Sequence, residues 1–331
     1  MNRLVAIAGG ATLVYAVLAV LMAIMPGIEL SQVPPGPGVK PLSPIEARGR
    51  EIYVAEGCAY CHTQQVRPLP VDRVFGRPSA PGDFAFDTPE LLGSERTGPD
   101  LTNVGTRQSS DVWQYIHLYD PRAVVPQSIM PSFRWLFDVV AKAPAGVVPV
   151  PVPKPYAPAN GAVIPTDDAK ALVAYLLSLK QQPIPGAPGE AAATAPLAQA
   201  APANGTTGGA AAGGAAAGAP AFDAADGAKL FAANCAACHG EQGAGVPGAF
   251  PTLHGNPVVM ATDPAEHIAT VLHGAQGKPI NGVTYAAQMP AFASQLSDRQ
   301  IADIIDHERT SWGNHSPTVT AADVAAVRAK K

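Results

Sequence analysis

The pentapeptide CAYCH occupies residues 58–62, and a close copy, CAACH, occupies residues 235–239. The two copies together contain all 4 cysteines of the 331-residue chain. In each copy a histidine directly follows the second cysteine. The repeat indicates that one local chemistry is used twice, in two separate parts of the chain.

The C-x-x-C-H pattern is typical of a covalently attached c-type haem. Each thiol can form a thioether to one vinyl group of the macrocycle, and the adjacent histidine is then held against the iron as its proximal ligand. We therefore predict two covalently bound haem c groups with iron. Their predicted attachment residues are Cys58, Cys61 and His62 in the first copy, and Cys235, Cys238 and His239 in the second.

Other uses of the cysteines explain the pattern less well. A structural zinc site usually brings two CxxC pairs within about 15–20 residues, which these pairs do not satisfy. A redox dithiol needs no following histidine and occurs in a βαβ context. Two local disulfides would leave both histidines unexplained.

A methionine as sixth ligand raises the potential of a haem whose other ligand is histidine. Met130 is the one methionine between the two motifs, and Met289 shares its Met-Pro sequence. We predict these two as iron ligands, whereas Met260, in the apolar run PVVMA, is predicted to pack in a core. Bis-histidine ligation remains an alternative, and its candidates are His117, His254, His267 and His273.

The surroundings of the two haems can also be predicted. A ligating histidine usually donates its second ring N–H to a carbonyl, and Pro99 and Pro251 are the candidates to supply or position one. Candidate walls of the haem crevices are Trp113, Trp135, Phe231 and Tyr285. Each of these aromatic residues could equally be ordinary core.

The N-terminus carries no charge from Leu4 to Met25. At about 1.5 Å per residue this segment spans a hydrocarbon core of about 30 Å, which favours an uncleaved anchor over a signal peptide. Arg3 favours a cytoplasmic N-terminus. We expect a single-pass protein of the bacterial inner membrane with its haem domains on the periplasmic side.

The predicted fold class is mainly α: an N-terminal transmembrane helix followed by two cytochrome c-like helical domains joined by a flexible linker. The predicted segments are 1–28 (anchor), 29–42 (Pro-rich spacer), 43–181 (first domain), 182–221 (Ala/Gly/Pro-rich linker), 222–313 (second domain) and 314–331 (tail). The proline-rich insert at residues 147–165 is predicted as a loop without a role.

Helix starts are predicted from capping patterns. The expected N-caps are Ser43 with Glu46, Thr166 or Asp167, Asp223, and Ser297 with Gln300. Each domain then consists of a helix leading to CxxCH, an irregular middle and a closing helix.

Composition excludes several functions. A net charge of −4 gives no basic surface for nucleic acid. The chain contains no GxSxG, HExxH, P-loop or GxGxxG in a suitable context. With both iron positions filled, we expect electron transfer and no catalytic site on this chain.

Three stretches carry a family resemblance: residues 49–68, 93–107 and 117–133, the last being HLYDPRAVVPQSIMPSF. They resemble subunit II of cbb3-type cytochrome c oxidases, a membrane-anchored mono-haem cytochrome c. The resemblance implies haem attachment at Cys58, Cys61 and His62 with Met130 as the other axial ligand. It also implies a haem-copper catalytic subunit that reduces oxygen as partner.

Residues 222–313 resemble a class I cytochrome c domain of the kind appended to respiratory enzymes and dehydrogenases. The expected function is a di-haem cytochrome subunit of a terminal oxidase, supplied by a donor such as a soluble cytochrome c or a bc1-type complex. Two alternatives remain: the cytochrome subunit of a nitric oxide reductase, and the electron acceptor of a periplasmic dehydrogenase.

Overall fold

The structure is a computed structural model that describes residues 2–184, 224–285, 287–293 and 295–330. Most of the predicted linker and the predicted cap Asp223 lie outside these residues. We call residues 43–184 the first unit and residues 224–330 the second unit. Both units are mainly helical, as predicted.

The N-terminal segment is one long apolar helix. Its parts are α1 (Asn2–Ala19), a π-helical stretch (Val20–Ile24) and α2 (Met25–Ser31). Within the described residues, Arg3–Ser31 is the one helix long and apolar enough to cross a membrane, with a mean hydropathy of 2.4 over its best window. Its large apolar side chains are exposed in the structure, which is the surface that lipid would cover.

The first unit is built on two crossing helices at opposite ends of its sequence. Its elements are α3 (Pro44–Ala55), α4 (Val104–Arg107), α5 (Asp111–Tyr119), β1 (Phe137–Val140), β2 (Ala162–Pro165) and α6 (Asp167–Ser178). Short 3-10 turns lie at Cys58–Tyr60, Pro70–Phe75, Pro81–Phe84, Pro121–Ala123 and Arg134–Leu136. Gly49 lets α3 approach α6 closely, since a Cβ there would lie 1.9 Å from the carbonyl oxygen of Ala171.

The prediction of a loop for residues 147–165 is wrong at its end. Ala162–Pro165 forms strand β2, which pairs antiparallel with β1 so that Val139 faces Val163. Val150 and Val163 are buried in the core of the first unit. Strand β2 was not predicted because it follows a proline-rich stretch and is short. A strand of this length in a two-stranded ribbon shows too few residues for an alternating hydrophobic pattern to be recognised.

The second unit packs its first helix against its closing helix. Its elements are α7 (Ala224–Asn234), α8 (Ala236–His239), α9 (Pro257–Met260), α10 (Ala265–His273), β3 (Pro279–Ile280), β4 (Val283–Thr284), α11 (Asp298–Thr310) and α12 (Ala321–Arg328). The fully buried side chains of Leu272, Ile301 and Ile304 lie in its core.

Three predicted helix starts are confirmed. Ser43 and Ser297 form capping boxes with Glu46 and Gln300, and the side chain of Thr166 accepts a hydrogen bond from the amide of Ala169. The residues predicted as a tail contain a further helix, α12, with a capping box at Thr320. Val324 of this helix is fully buried, so this part of the chain extends the second unit.

Candidate haem-attachment sites

The first C-x-x-C-H motif lies where helix α3 ends. Gly57 adopts a left-handed conformation (φ 72°), which ends the helix, and Cys58–Tyr60 then forms a 3-10 turn. The amide of His62 donates to the carbonyl of Cys58 at 3.0 Å. This tight turn places both cysteines and the histidine of the motif on one short segment.

The ring of His62 is oriented by the carbonyl of Pro99. Nδ1–H donates to this oxygen at 2.7 Å, because a carbonyl can only accept. The lone pair of Nε2 is therefore free for a metal ion. Gly98 leaves room for the ring, since a Cβ there would lie 2.3 Å from Cε1 of His62. The prediction for Pro99 is confirmed.

A buried polar network fixes the chain directly after His62. Asp100 Oδ2 accepts from Thr63 Oγ1 at 2.6 Å and from the amide of Gln65 at 2.9 Å. Arg96 links this carboxylate to Asp72, with Nη1 donating to Asp72 Oδ1 at 2.6 Å. The network holds the histidine loop against the loop that carries Pro99.

Burial alone would raise the pKa of Asp72. Hydrogen bonds from Arg67 and Arg96 outweigh this effect and hold the pKa of this carboxyl well below its ordinary range. Asp72 is therefore ionised at neutral pH.

The second C-x-x-C-H motif repeats the same arrangement. Helix α7 leads into Cys235, and His239 ends the short helix α8. His239 Nδ1–H donates to the carbonyl of Pro251 at 2.9 Å, which confirms the second predicted partner. Burial lowers the pKa of His239, as it lowers the pKa of His62. Both imidazoles are thus neutral at physiological pH, the form that binds metal.

A cleft with about 1150 Å³ of free space, part of it open to solvent, lies beside this motif. His239, Met289 and Tyr285 line it, together with both cysteines of the motif. The lining does not include Met260, whose sulfur accepts a weak hydrogen bond from Ser316 at 3.5 Å. The structure thus brings Met289, and not Met260, to the same cleft as His239.

Met130 packs partly buried against the core of the first unit. Its amide donates to Ser128 Oγ and its carbonyl accepts from Arg122, so the backbone of the SIMPSF segment is held on both sides. Its role as the sixth ligand stays a prediction, as does that of Met289.

Of the alternative histidines, His254 and His273 are exposed. His267 is buried and its Nε2 lies 2.7 Å from Glu308 Oε2, so one of its ring nitrogens is already engaged. His117 is partly buried, and burial together with nearby His62 lowers its pKa to about 3.

Buried polar atoms without a protein partner surround both motifs and fit an absent group with oxygen acceptors. In the described part of the first unit these include Arg107 Nε and His117 Nδ1. In the second unit His267 Nδ1 is such an atom, and His267 lines the cleft. A haem brings two carboxylates and an iron that needs nitrogen or sulfur ligands, so these residues suit it.

The cysteines do not resemble a redox dithiol. Burial raises the pKa of Cys58 and of Cys238 to about 12, whereas a reactive thiolate needs a lowered pKa. No group of three or more His, Cys, Asp or Glu side chains suited to a metal ion occurs in the described ranges. The zinc alternative therefore gains no support.

Two of the predicted crevice aromatics do not line a crevice. Trp135 is 62% exposed and donates to the carboxylate of Glu56. Phe231 is buried in the core of the second unit, with its ring centre 5.0 Å from that of Trp312. Trp113 and Tyr285 remain candidates.

Sequence reasoning missed the ionic network and the His267–Glu308 pair. Asp100 and Arg96 lie inside the stretch RTGPDL, of which only Pro99 is predicted to have a role. Glu308 gives no local signal, because it meets His267 across a sequence separation of 41 residues.

Comparison with known proteins locates two families on the chain. Residues 2–146 match the family model described as Cytochrome C oxidase, mono-heme subunit/FixO. Residues 224–312 match the family model Cytochrome c. The two matches lie on either side of the predicted linker.

Three relatives illustrate the range of similarity. The alcohol dehydrogenase (quinone) cytochrome c subunit of Gluconacetobacter polyoxogenes is 45% identical over 103 residues, which is 31% of this chain and 22% of that one. Cytochrome c-552 of Thermus thermophilus is 40% identical over 116 residues, 32% of this chain and 87% of that one. The cbb3-type cytochrome c oxidase subunit FixP of Sinorhizobium medicae is 35% identical over 80 residues, which is 24% of this chain and 27% of that one.

The chain thus spans about a fifth of the length of the dehydrogenase subunits it matches, but most of the small cytochrome c-552. Both C-x-x-C-H motifs fall inside the two matched regions. The chain belongs to the cytochrome c family and joins a region of the mono-haem oxidase-subunit type to a C-terminal cytochrome c domain.

Proposed function

We propose that the chain is a di-haem c-type cytochrome subunit of a cbb3-like haem-copper terminal oxidase of the respiratory chain. It receives electrons from a soluble cytochrome c or a bc1-type complex and delivers them to the oxygen-reducing subunit. The observation that carries this proposal is the match of residues 2–146 to the oxidase mono-haem subunit, because it includes both the apolar helix and the first CAYCH.

Each unit would hold one haem c through its own residues. The proposed set is Cys58, Cys61, His62 and Met130 in the first unit, and Cys235, Cys238, His239 and Met289 in the second. When bound, each haem supplies a reversible one-electron couple. The carbonyls of Pro99 and Pro251 keep each histidine in the tautomer that presents Nε2 to the iron.

The apolar helix would anchor the first unit to the inner membrane, with both units on the periplasmic side. A first unit held at the membrane is placed to meet the catalytic subunit. The second unit, joined through the predicted linker, is placed to meet the donor, since a tether raises the effective concentration of a carrier.

The test is to solubilise membranes, isolate the chain through a C-terminal tag, and measure oxygen uptake with reduced cytochrome c. We expect a haem-copper subunit to co-purify and oxygen uptake to depend on this chain. Two bound haems without an oxidase partner would contradict the proposal. Nitric oxide turnover by the same preparation would favour the alternative that the chain is the cytochrome subunit of a nitric oxide reductase.

The electron order has its own test. A His239→Ala variant should lose oxidation of reduced cytochrome c while an artificial reductant still supplies the first unit. The matched variant His62→Ala should lose oxygen uptake from both electron sources. Unimpaired cytochrome c oxidation by the His239 variant would reject this order.

A second candidate function rests on one observation. The 45% identity to a quinone alcohol dehydrogenase cytochrome subunit exceeds the 35% identity to the oxidase subunit FixP. The chain would then accept electrons from a periplasmic dehydrogenase. Co-purification of a quinoprotein or flavoprotein dehydrogenase in the same isolation would favour it.

A further inference from the structure

Trp113 of helix α5 reaches from the first unit to the second. Its Nε1–H donates to the carbonyl of Ala237 at 2.9 Å, across 124 positions of sequence. Ala237 lies between the two cysteines of CAACH. An indole has one donor and no acceptor, so Trp113 uses its only polar group on the attachment segment of the other unit.

Apolar packing accompanies this hydrogen bond. Ala249 and Phe250 of the second unit are 0% and 5% exposed and belong to the buried cluster of the first unit. Cys238 and Val246 pack against the same cluster. The contact therefore removes apolar surface of the second unit from water, which is the main favourable term in such an association.

The first unit also forms part of the wall of the second unit's cleft. Arg107, Gln108, Ser109 and Ser110 line it together with His239. Arg107 in addition lies close enough to His62 for its charge to act on that ring, although burial is the main cause of the lowered pKa there. Residues 107–110 thus share a cleft with His239, and Arg107 of this segment also lies near His62.

A continuous set of contacts leads from one motif toward the other. The ring of His117 stacks on Trp113 with centroids 4.5 Å apart and an interplanar angle of 12°. His117 in turn lies near His62, whose charge adds to the effect of burial in lowering the pKa of His117. Trp113 thus contacts both Ala237 of the second motif and His117, which lies near His62 of the first.

We infer that residues 107–110 and helix α5 form a docking surface for the CAACH segment of the second unit, and that Trp113 is the positioning residue that holds the segment there. Docking allows one electron to leave the second unit, which is oxidised, and to enter the first, which is reduced, without transfer of any atom. The inference rests on the proposed function, because it takes both motifs as haem-attachment sites.

The test is the distance between the two ferric centres in the full-length, haem-loaded chain, measured by pulsed electron paramagnetic resonance. The wild-type chain should give one narrow distance. Trp113→Phe keeps an aromatic ring and loses the donor, so the ratio of docked to undocked molecules should fall roughly three- to tenfold, the effect of one hydrogen bond. Ser109→Arg adds bulk and charge to the docking surface and should broaden the distribution further.

Trp135→Phe is the matched control. Trp135 also donates through Nε1, but to Glu56 on an exposed surface of the first unit, so its loss should leave the distance narrow. The c-type absorption band of each variant reports whether haem is bound and the units are folded. Electron equilibration between the haems after flash reduction should slow in the two docking variants and not in the control.

A broad distance distribution in the wild-type chain would overturn the inference, as would narrow distributions in both docking variants. Oxygen uptake with reduced cytochrome c separates this failure from failure of the proposed function. Oxygen uptake that persists while the distribution of distances between the ferric centres is broad rejects the docking inference only. A narrow distance distribution without any oxygen uptake rejects the oxidase role and supports docking. A content of one haem per chain rejects both the docking inference and the proposed function.

Discussion

Single residues decide how each motif histidine is oriented. His62 and His239 have the same arrangement, with Nδ1 bound to a proline carbonyl and Nε2 free, although the carbonyls come from 37 and 12 residues further along the chain. The geometry is thus reproduced by two different loops. What the two sites share is the chemistry of the ring and not the length of the connection.

The methionine ligands can be tested by volume-conserving substitution. Met289→Leu should remove the absorption band of His–Met-ligated ferric haem from the second unit and lower its potential, because leucine has no sulfur to bind iron. Met260→Leu is the control and should change neither. If both variants kept the band, Met289 would not be the ligand, and His267 would be the next residue to substitute.

Asp306 offers a test of a buried charge. Burial raises its pKa to about 6, from about 3.9 in an unfolded chain. The stability from its protonated form is present below pH 4 and is lost as the pH rises through 6. Asp306→Asn keeps an acceptor for the amide of Val319 and should stabilise the second unit by about 1–3 kcal/mol at pH 8, with little effect at pH 4.

Thermal unfolding of both proteins at the two pH values is the measurement. Asp226→Asn is a suitable comparison, because Asp226 is exposed and paired with Lys229 and should not show this gain. Equal stability of Asp306→Asn and wild type at pH 8 would show that the buried carboxylate carries no penalty.

At the scale of elements, the close crossing of α3 and α6 places the first motif. Gly49→Ala should destabilise the first unit by about 2–3 kcal/mol, because the added Cβ would lie 1.9 Å from the Ala171 carbonyl oxygen and 2.7 Å from Tyr175 Cβ. The higher helix propensity of alanine, about 1 kcal/mol, does not offset this clash.

Gly9→Ala is the matched control, since it is also a helical glycine but has no atom within 4 Å of an added Cβ. Circular dichroism melting of the haem-loaded chain reports both variants. A Gly49 variant as stable as the Gly9 variant would mean that the two helices can separate without cost.

Local signals in the sequence predict three of the helices that begin with a side-chain cap, but not α5 and α12, whose caps are Ser110 and Thr320. The starts at Ser43, Thr166 and Ser297 follow from three or four consecutive residues, and each was predicted. Strand β2 was missed because its partner β1 lies across a proline-rich stretch. The contact between Trp113 and Ala237 could not be predicted, because it depends on how two separately folded units meet.

At the scale of the whole molecule, one buried carboxyl of the first unit and one of the second respond to acid in opposite directions. The pKa of Asp72 is lowered in the fold, so its contribution is present above the unfolded pKa of about 3.9 and is lost as the pH falls toward the lowered value. The pKa of Asp306 is instead raised in the fold, mainly by burial. We expect the contribution of Asp72 to the stability of the first unit to fall below about pH 4, while protonation of Asp306 relieves the second unit of one buried charge.

Asp72→Asn should therefore destabilise the first unit by about 2–4 kcal/mol at pH 7 and have a smaller effect toward pH 3. The melting of the two units can be followed separately through their haem bands. Exposed Asp167, paired with Lys170, provides the control, since loss of a surface pair should change stability little. An Asp72 variant with the same melting profile as wild type at pH 7 would contradict the network's role.

The burial of the thiols bears on how the protein is made. Cys235 is only 8% exposed, and Cys58 and Cys238 are partly covered by the surrounding chain. A maturation enzyme that joins vinyl groups to these three sulfurs needs access from outside, which the surrounding chain restricts, whereas Cys61 is exposed. If haem is attached as proposed, its attachment to the buried Cys235 would precede closure of the second unit, so the cofactor would come first and the compact domain second.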